Sequence, residues 1–304
     1  MRSRPARLVP GCRVAVVAPA GPVDPALLER GVGVLEGWGL RVDVGAHVLG
    51  RHPKLPYLAG SDTDRAADLQ HAWCDPDVDA VFCARGGYGC LRLLELLDWE
   101  AMAAAGPTVF VGSSDATALH AAIGARLDLI TLFSPMVASD LFDEVAREHV
   151  RRMLFEPELA TTLTGPAVAT MEHGSAEGVL TGGNLSLIVA GLAAEDAPPP
   201  PDGAIVLLED VGEEPYRLDR LLTQLLRAGW FTGVTGIALG SWAGCGAPSD
   251  VYDVMADLLG GLGIPTVWEF GFGHCPGSPT IPLGIPARLD ADGGTLTLLK
   301  PALR

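Results

Sequence analysis

Apolar positions along the 304-residue chain fall either in short continuous runs or at helical spacing. Residues 14–18, 78–84 and 108–111 are near-continuous runs of Val, Phe, Ala and Thr, as expected of strands covered on both faces. Leu27, Leu28, Val32 and Leu35 share one face of a helix over about 25–37. Ala66, Leu69 and Trp73 mark another, which Ser61-Asp62-Thr63-Asp64 would cap. Residues 40–44 read as a strand, 47–58 as irregular, and the Leu-rich run 90–97 as a helix. After 108–111 an Ala-rich stretch with Leu119, Ala122 and Ile123 at helical spacing predicts a further helix. Strands and helices alternating through short loops imply a parallel sheet with right-handed crossovers. Ligands of such sheets bind at the carboxyl ends of the strands.

The pattern changes in the second half. A charged amphipathic helix over 140–155 leaves the first unit, and residues 157–177 show no clear period, so they read as a linker. Beyond Gly178 come an apolar helix reaching Leu192 and a surface break at Pro198-Pro199-Pro200-Pro201. Strands over 204–208, 236–240 and 265–267 alternate with helices over 218–228 and 251–262. Residues 287–289 and 295–299 form a hairpin about Asp292-Gly293-Gly294. There is no internal repeat. The expected organisation is an N-terminal domain over 1–155, a linker over 156–177 and a C-terminal domain over 178–304, each with its own core.

Composition narrows the function classes. A formal charge of −16 argues against nucleic acid and anionic membrane as partners. No apolar run approaches the roughly 18 residues of a membrane span. The basic start and the apolar residues 14–20 superficially suggest a signal peptide, but a first strand running into a Pro/Gly loop accounts for them better. Six cysteines without a C-x-x-C pair point to reduced thiols in a cytoplasm rather than to disulfides or zinc.

Candidate chemistry gathers at strand ends. The junction strand–Gly112-Ser113-Ser114-Asp115–helix is the geometry of a nucleophile elbow, which lifts a serine hydroxyl clear of the backbone above a helix N-terminus. It also suits a plain helix cap, and Ala116 stands where the hydrolase elbow has its second glycine. Arg85-Gly86-Gly87-Tyr88-Gly89 is a second Gly-rich turn facing the same crevice; it lacks the spacing of a dinucleotide or phosphate loop. Glu209 ends a strand, where an acid is costly unless paired or functional, though Glu213 and Glu214 suit a solvated helix N-terminus. His274 follows Gly271-Phe272-Gly273, whose backbone is free to present the imidazole. Three readings follow: a serine hydrolase, a metal-dependent hydrolase using Glu209, Asp210, Glu213 and His274, and a non-catalytic binder of a small anionic or peptide ligand. The second lacks H-E-x-x-H and paired histidines at ligand spacing.

Taken together, Arg85 to Gly89, Gly112-Ser113-Ser114-Asp115, Gly182-Gly183-Asn184, Leu208-Glu209-Asp210 with Pro215-Tyr216-Arg217, and Gly273-His274 resemble the LD-carboxypeptidases. That family includes the muramoyltetrapeptide carboxypeptidases and the microcin C immunity peptidases, and the resemblance runs from about Arg13 to about Leu289. It implies a flavodoxin-like parallel-sheet N-terminal domain and a β-rich α/β C-terminal domain that donates Glu and His across a cleft. It also implies a cytoplasmic homodimer with no metal or cofactor. The implied triad is Ser114, His274 and Glu209, with the backbone N–H of Asp115 and of Gly86 or Gly87 as the oxyanion hole. Arg85, Tyr88, Asn184 and Arg217 are candidates for substrate binding. The implied reaction is removal of D-Ala from murein tetrapeptide in cell-wall recycling; the alternative is cleavage of a peptidyl or aminoacyl nucleotide antibiotic. Two departures lie beside the site: Ser113 where the family often has an aromatic residue or His, and Ser134 where a glycine often precedes the proline. For His274, a nearby carboxylate raises the pKa and burial lowers it, so the sequence leaves the direction open.

Overall fold

The computed structural model describes residues 2–165 and 168–304. Strands β1 (Arg13–Val17), β2 (Arg41–Val44), β3 (Ala80–Cys83), β4 (Val109–Gly112) and β5 (Thr131–Phe133) are parallel and lie side by side in the order β5-β4-β3-β1-β2. Helices α1 (Pro25–Gly37), α2 (Asp62–Cys74), α3 (Trp99–Ala105) and α4 (Thr117–Leu127) make the crossovers, and α5 (Glu144–Phe155) follows β5. The continuous apolar runs have a physical explanation. In β1, Val14 and Val16 enter one buried cluster while Ala15 and Val17 enter another on the opposite face.

The second sheet is mixed and eight-stranded. Its strands are β6 (Thr162–Thr164), β7 (Ala169–Glu172), β8 (Ser175–Asn184), β9 (Ile205–Val211), β10 (Gly236–Ala243), β11 (Thr266–Trp268), β13 (Pro286–Asp290) and β14 (Thr295–Leu298), with β12 (Ile281–Leu283) placed elsewhere. The order is β6-β14-β13-β8-β9-β10-β11-β7, parallel from β8 to β11 and antiparallel at both ends. Helices α6 (Leu185–Ala190), α7 (Pro215–Arg227) and α8 (Pro248–Leu259) belong to this half. Helix α7 buries Leu218, Leu222 and Leu225 against the sheet and leaves its charged face to water.

Several expectations are corrected. The stretch 156–177 contains β6 and β7, the two edges of the second sheet; being three and four residues long and largely unburied, they carry no hydrophobic period. Pro166 and Ala167 of that stretch lie outside the described residues. The run 90–97 is two 3-10 turns, Cys90–Arg92 and Leu94–Leu96, rather than a helix. The helix restarts at Trp99, where the Asp98 carboxylate accepts from the Ala101 N–H and sets a new N-cap. Strand β12, drawn from within 178–304, pairs antiparallel with β5 and so completes the first sheet. The two halves also share a core. One buried cluster takes Val16, Phe82 and Val111 from the first sheet together with Leu180, Leu207, Phe272 and Leu289 from the second half.

Candidate active site

The elbow at Ser114 is built by backbone. Ser114 has φ 57, in the left-handed region that non-glycine residues avoid, at the step from β4 into a 3-10 turn and then α4. Its side chain is half-buried, and a Cβ placed on Gly86 would lie 2.9 Å from Ser114 Cβ and 3.0 Å from its Oγ. The two Gly-rich turns therefore touch, and glycine at 86 is what lets them. The buried Asp115 carboxylate accepts from the Cys90 N–H at 2.7 Å, pinning the second turn to the first. Burial pushes the Asp115 pKa up, against the hydrogen bond from Cys90. Among the described residues no hydrogen bond takes up the Gly86 or Gly87 N–H, while the Gly86 carbonyl accepts from the Gly21 N–H at 3.0 Å.

Glu209 and His274 come from the second half. Glu209 is fully buried within β9, one strand over from Asn184, its register partner on β8. Its Oε2 takes the His274 Nδ1–H at 2.7 Å, and Asn184 Nδ2 donates to Oε1 at 3.3 Å. Gly273, at φ 97, lies so close that a Cβ there would strike the Glu209 carboxylate, so no other residue fits before His274. Ser278 Oγ accepts from the Gly273 N–H at 2.9 Å. Asp143, the N-cap of α5, accepts from the Gly277 N–H at 2.7 Å and ties this loop to the first half. Burial pulls the His274 pKa down, but the hydrogen bond and charge of Glu209, with Asp210 behind, outweigh it and hold it above the ordinary histidine value.

The halves meet through Thr117, which the sequence reading did not single out. Its Oγ1 accepts from the Asn184 N–H at 3.0 Å, and a Cβ on Gly183 would come within 2.7 Å of the same oxygen. The first turn of α4 thus rests on the Gly182-Gly183-Asn184 end of β8, beside Glu209. Among the described residues Ser114 Oγ itself makes no hydrogen bond, to His274 or to any other group.

The substrate-binding candidates divide. Asn184 is buried, with its amide on Glu209 and on Asp210 Oδ1 at 2.9 Å and its Oδ1 capping α6. Its side chain is thus engaged inside the protein, on both carboxylates and on α6. Arg85 and Tyr88 are exposed at the turn beside Ser114. Arg85 Nη1 donates to the Pro22 carbonyl at 2.7 Å, and Tyr88 stacks edge-on against Tyr57 with centroids 5.7 Å apart. Tyr57 lies in a stretch with no periodic signal to flag it. Arg217 stands exposed on the first turn of α7, with Nη1 3.5 Å from Glu213 and Nε donating to Tyr216 Oη at 3.2 Å.

The carboxylates of the metal-dependent alternative do not converge. Asp210 Oδ1 is taken by the Asn184 amide and its Oδ2 by Ser186, from the N–H at 2.9 Å and the hydroxyl at 2.7 Å, and Glu213 faces Arg217. Both departures from the family pattern are packed inside: Ser113 is buried, and Ser134 Oγ shares a 2.9 Å hydrogen bond with Thr280 Oγ1. Buried His120, on α4, gives its Nε2–H to the Gly112 carbonyl at 2.8 Å, and burial pushes its pKa down to about 4.

Comparison with known proteins identifies the family. Residues 14–134 match the LD-carboxypeptidase N-terminal domain and residues 177–289 the LD-carboxypeptidase C-terminal domain. The murein tetrapeptide carboxypeptidase of Pseudomonas aeruginosa is 32% identical over 297 residues, covering 92% of this chain and 94% of its own. The probable murein peptide carboxypeptidase of Bacillus subtilis is 34% identical over 298 residues, covering 94% of this chain and 91% of its own. A solved structure of the microcin C7 self-immunity protein, in complex with aspartyl sulfamoyl adenosine, has the same fold. Its TM-score is 0.87 over 99% of this chain and 100% of that one, at 24% identity. With both of its domains matched in order, this chain belongs to the LD-carboxypeptidase family of serine-type carboxypeptidases.

Proposed function

We propose that this protein removes a C-terminal D-amino acid from an L,D-peptide bond, D-Ala of murein tetrapeptide being the substrate, with Ser114, His274 and Glu209 as one catalytic unit. The observation that carries the reading is the hydrogen bond of the part-buried His274 to the fully buried Glu209, in the half whose Asn184 packs on Thr117 of the helix that the strained Ser114 turn leads into. With Nδ1–H committed to Glu209, the His274 Nε2 is left with its lone pair and accepts the Ser114 proton as the hydroxyl attacks the scissile carbonyl. The negative charge on the carbonyl oxygen is met by the Gly86 or Gly87 N–H and that of Asp115; each such donor is worth about 2.7–4 kcal/mol in the transition state. His274 then gives its proton to the leaving amine, and water repeats the sequence on the acyl-enzyme. The substrate carboxylate is assigned to Arg85, which is exposed beside the turn.

A second reading, cleavage of a peptidyl or aminoacyl nucleotide, is favoured by the likeness in fold to the microcin C7 self-immunity protein. The Escherichia coli protein of that name is 25% identical over 280 residues, against 32% over 297 for the murein enzyme, and we rank the murein substrate first. The proposed assembly and compartment are a homodimer in a cytoplasm, in keeping with six cysteines that are all unpaired.

The test is mass-spectrometric release of D-Ala from L-Ala-D-Glu-diaminopimelate-D-Ala, with kcat/KM compared for L,D, all-L and C-terminally amidated tetrapeptides. Inverting the terminal centre exchanges its carboxylate and methyl, so a substrate still held by its carboxylate has its scissile bond displaced by more than the roughly 1 Å that costs about 10²-fold. The all-L and amidated forms are expected to fall by at least that factor. Equal values for the L,D and all-L forms would remove this substrate and leave the nucleotide reading.

A further inference from the structure

Behind the nucleophile helix lies a cavity of about 60 Å³ that the chemistry above does not use. Its walls are the outer face of α4, the start of α6, and the segment around Asp196. Most of the lining is apolar, including Leu91, Leu187 and Trp230; besides the hydroxyls of Thr117 and Thr181 it holds three titratable residues.

The first is the Arg2 guanidinium. It lies flat in a cradle between Gly124 of α4 and Gly284, where a Cβ on either glycine would collide with it. Among the described residues no acceptor hydrogen-bonds it and no carboxylate pairs with it; burial lowers its pKa, with Asp128 partly compensating. A half-buried cation with no hydrogen-bonded partner among the described residues favours an anionic oxygen. The second is His120, whose Nδ1 is buried and has no partner. Because its Nε2 faces a carbonyl, which can only accept, the neutral ring carries its proton there, so Nδ1 offers a bare lone pair and calls for a donor. The third is the buried Asp196, held by Arg126 at 3.5 Å.

A molecule complementary to this lining carries a carboxylate for Arg2, an N–H donor for His120 Nδ1 and Asp196, and a short apolar group between them. At about 10–15 Å³ per water-sized atom, the volume admits about four to six non-hydrogen atoms. We propose that this cavity binds a free α-amino acid the size of alanine, as a second site separate from the Ser114 cleft. His120 joins the site to the elbow, since the Gly112 carbonyl it holds lies two residues before Ser114. If the proposed reaction is granted, its own product has the required chemistry, and the cavity would register product concentration; the binding claim stands without that reading.

The experiment is equilibrium dialysis of the full-length protein with radiolabelled D- and L-alanine, which involves no turnover. Saturable binding of at least one enantiomer with Kd of about 1 mM is expected, in the range such a small ligand reaches. Arg2→Met should weaken it at least about tenfold, one lost charge-assisted contact. Propionate, without the ammonium, and alaninamide, without the carboxylate, should compete at least about tenfold more weakly than alanine. Ala121→Leu fills the cavity from α4 without removing a charge, and should abolish binding with its thermal melt unchanged. Absence of saturable binding, or wild-type binding by either variant, overturns the proposal. Failure of D-Ala release with this binding intact would count against the proposed reaction alone.

Discussion

The proposed nucleophile and the proposed base are held by different means. Ser114 is placed by backbone: a left-handed φ of 57, a glycine at 86 pressed against its side chain, and no hydrogen bond of its own among the described residues. His274 is placed by side chains: a 2.7 Å bond to a fully buried carboxylate that Asn184 in turn orients. Residues in such sparsely populated conformations cost about 1–3 kcal/mol and persist where the surroundings enforce them. On the base side the cost is instead that of burying Glu209, offset by donors from Asn184 and His274. The comparison teaches that a side-chain deletion should cripple the base side by disorienting it, whereas the nucleophile side is damaged by changing its backbone neighbours.

The comparison can be broken first at Ser114 itself. Ser114→Ala should lower kcat by about 10⁶-fold while leaving the thermal melt in place, because the hydroxyl contributes no contact to the core. Adding His274→Ala should cost little more, since residues acting as one unit lose their effect once. Multiplying losses in the double variant would show that the two sides work independently.

On the base side, Glu209→Gln preserves shape and removes charge, with an expected loss of about 10⁴-fold in kcat. It should also move the pH profile. Protonated His274 cannot act as base, so the wild-type rate rises as the proton leaves. Because Glu209 and Asp210 outweigh burial, that rise should centre above the unperturbed value of about 6.5. In Glu209→Gln the rise should shift to lower pH. A wild-type midpoint below that value, or a profile that Glu209→Gln leaves in place, contradicts the account of His274.

The smallest effect sharpens the backbone half of the comparison. Gly86→Ala would put a methyl 2.9 Å from Ser114 Cβ and draw the neighbouring N–H away from the oxyanion, for a loss of about 10²–10³-fold in kcat at near-constant KM. A tenfold rise in KM with kcat unchanged would make Gly86 a substrate contact instead.

Much of this was legible from residue order. The elbow could be read because a β-branched run, Gly112-Ser113-Ser114-Asp115 and an Ala-rich helix leave a local signature. Glu209 and His274 stood out for what surrounded them. What was not legible depends on distant partners. Strand β12 is three residues long with a proline at its centre, and its place beside β5 follows from pairing across about 150 residues, which leaves no period in the sequence. Edge strands β6 and β7 are too short and polar to announce themselves. Thr117 reads as an ordinary first-turn residue, and its contact with Asn184 exists only once the two halves are packed. The direction of the His274 pKa likewise needed the geometry, because burial and a carboxylate oppose each other.

The central claim is that Ser114 is the nucleophile and that His274 activates it, and covalent capture tests it most directly. Wild-type protein treated with a serine-directed fluorophosphonate should carry a single adduct, mapped by peptide mass spectrometry to Ser114, and His274→Ala should be labelled more slowly by at least about 10³-fold. An adduct on Ser113 or elsewhere, or labelling of Ser114 at an undiminished rate in His274→Ala, would contradict it.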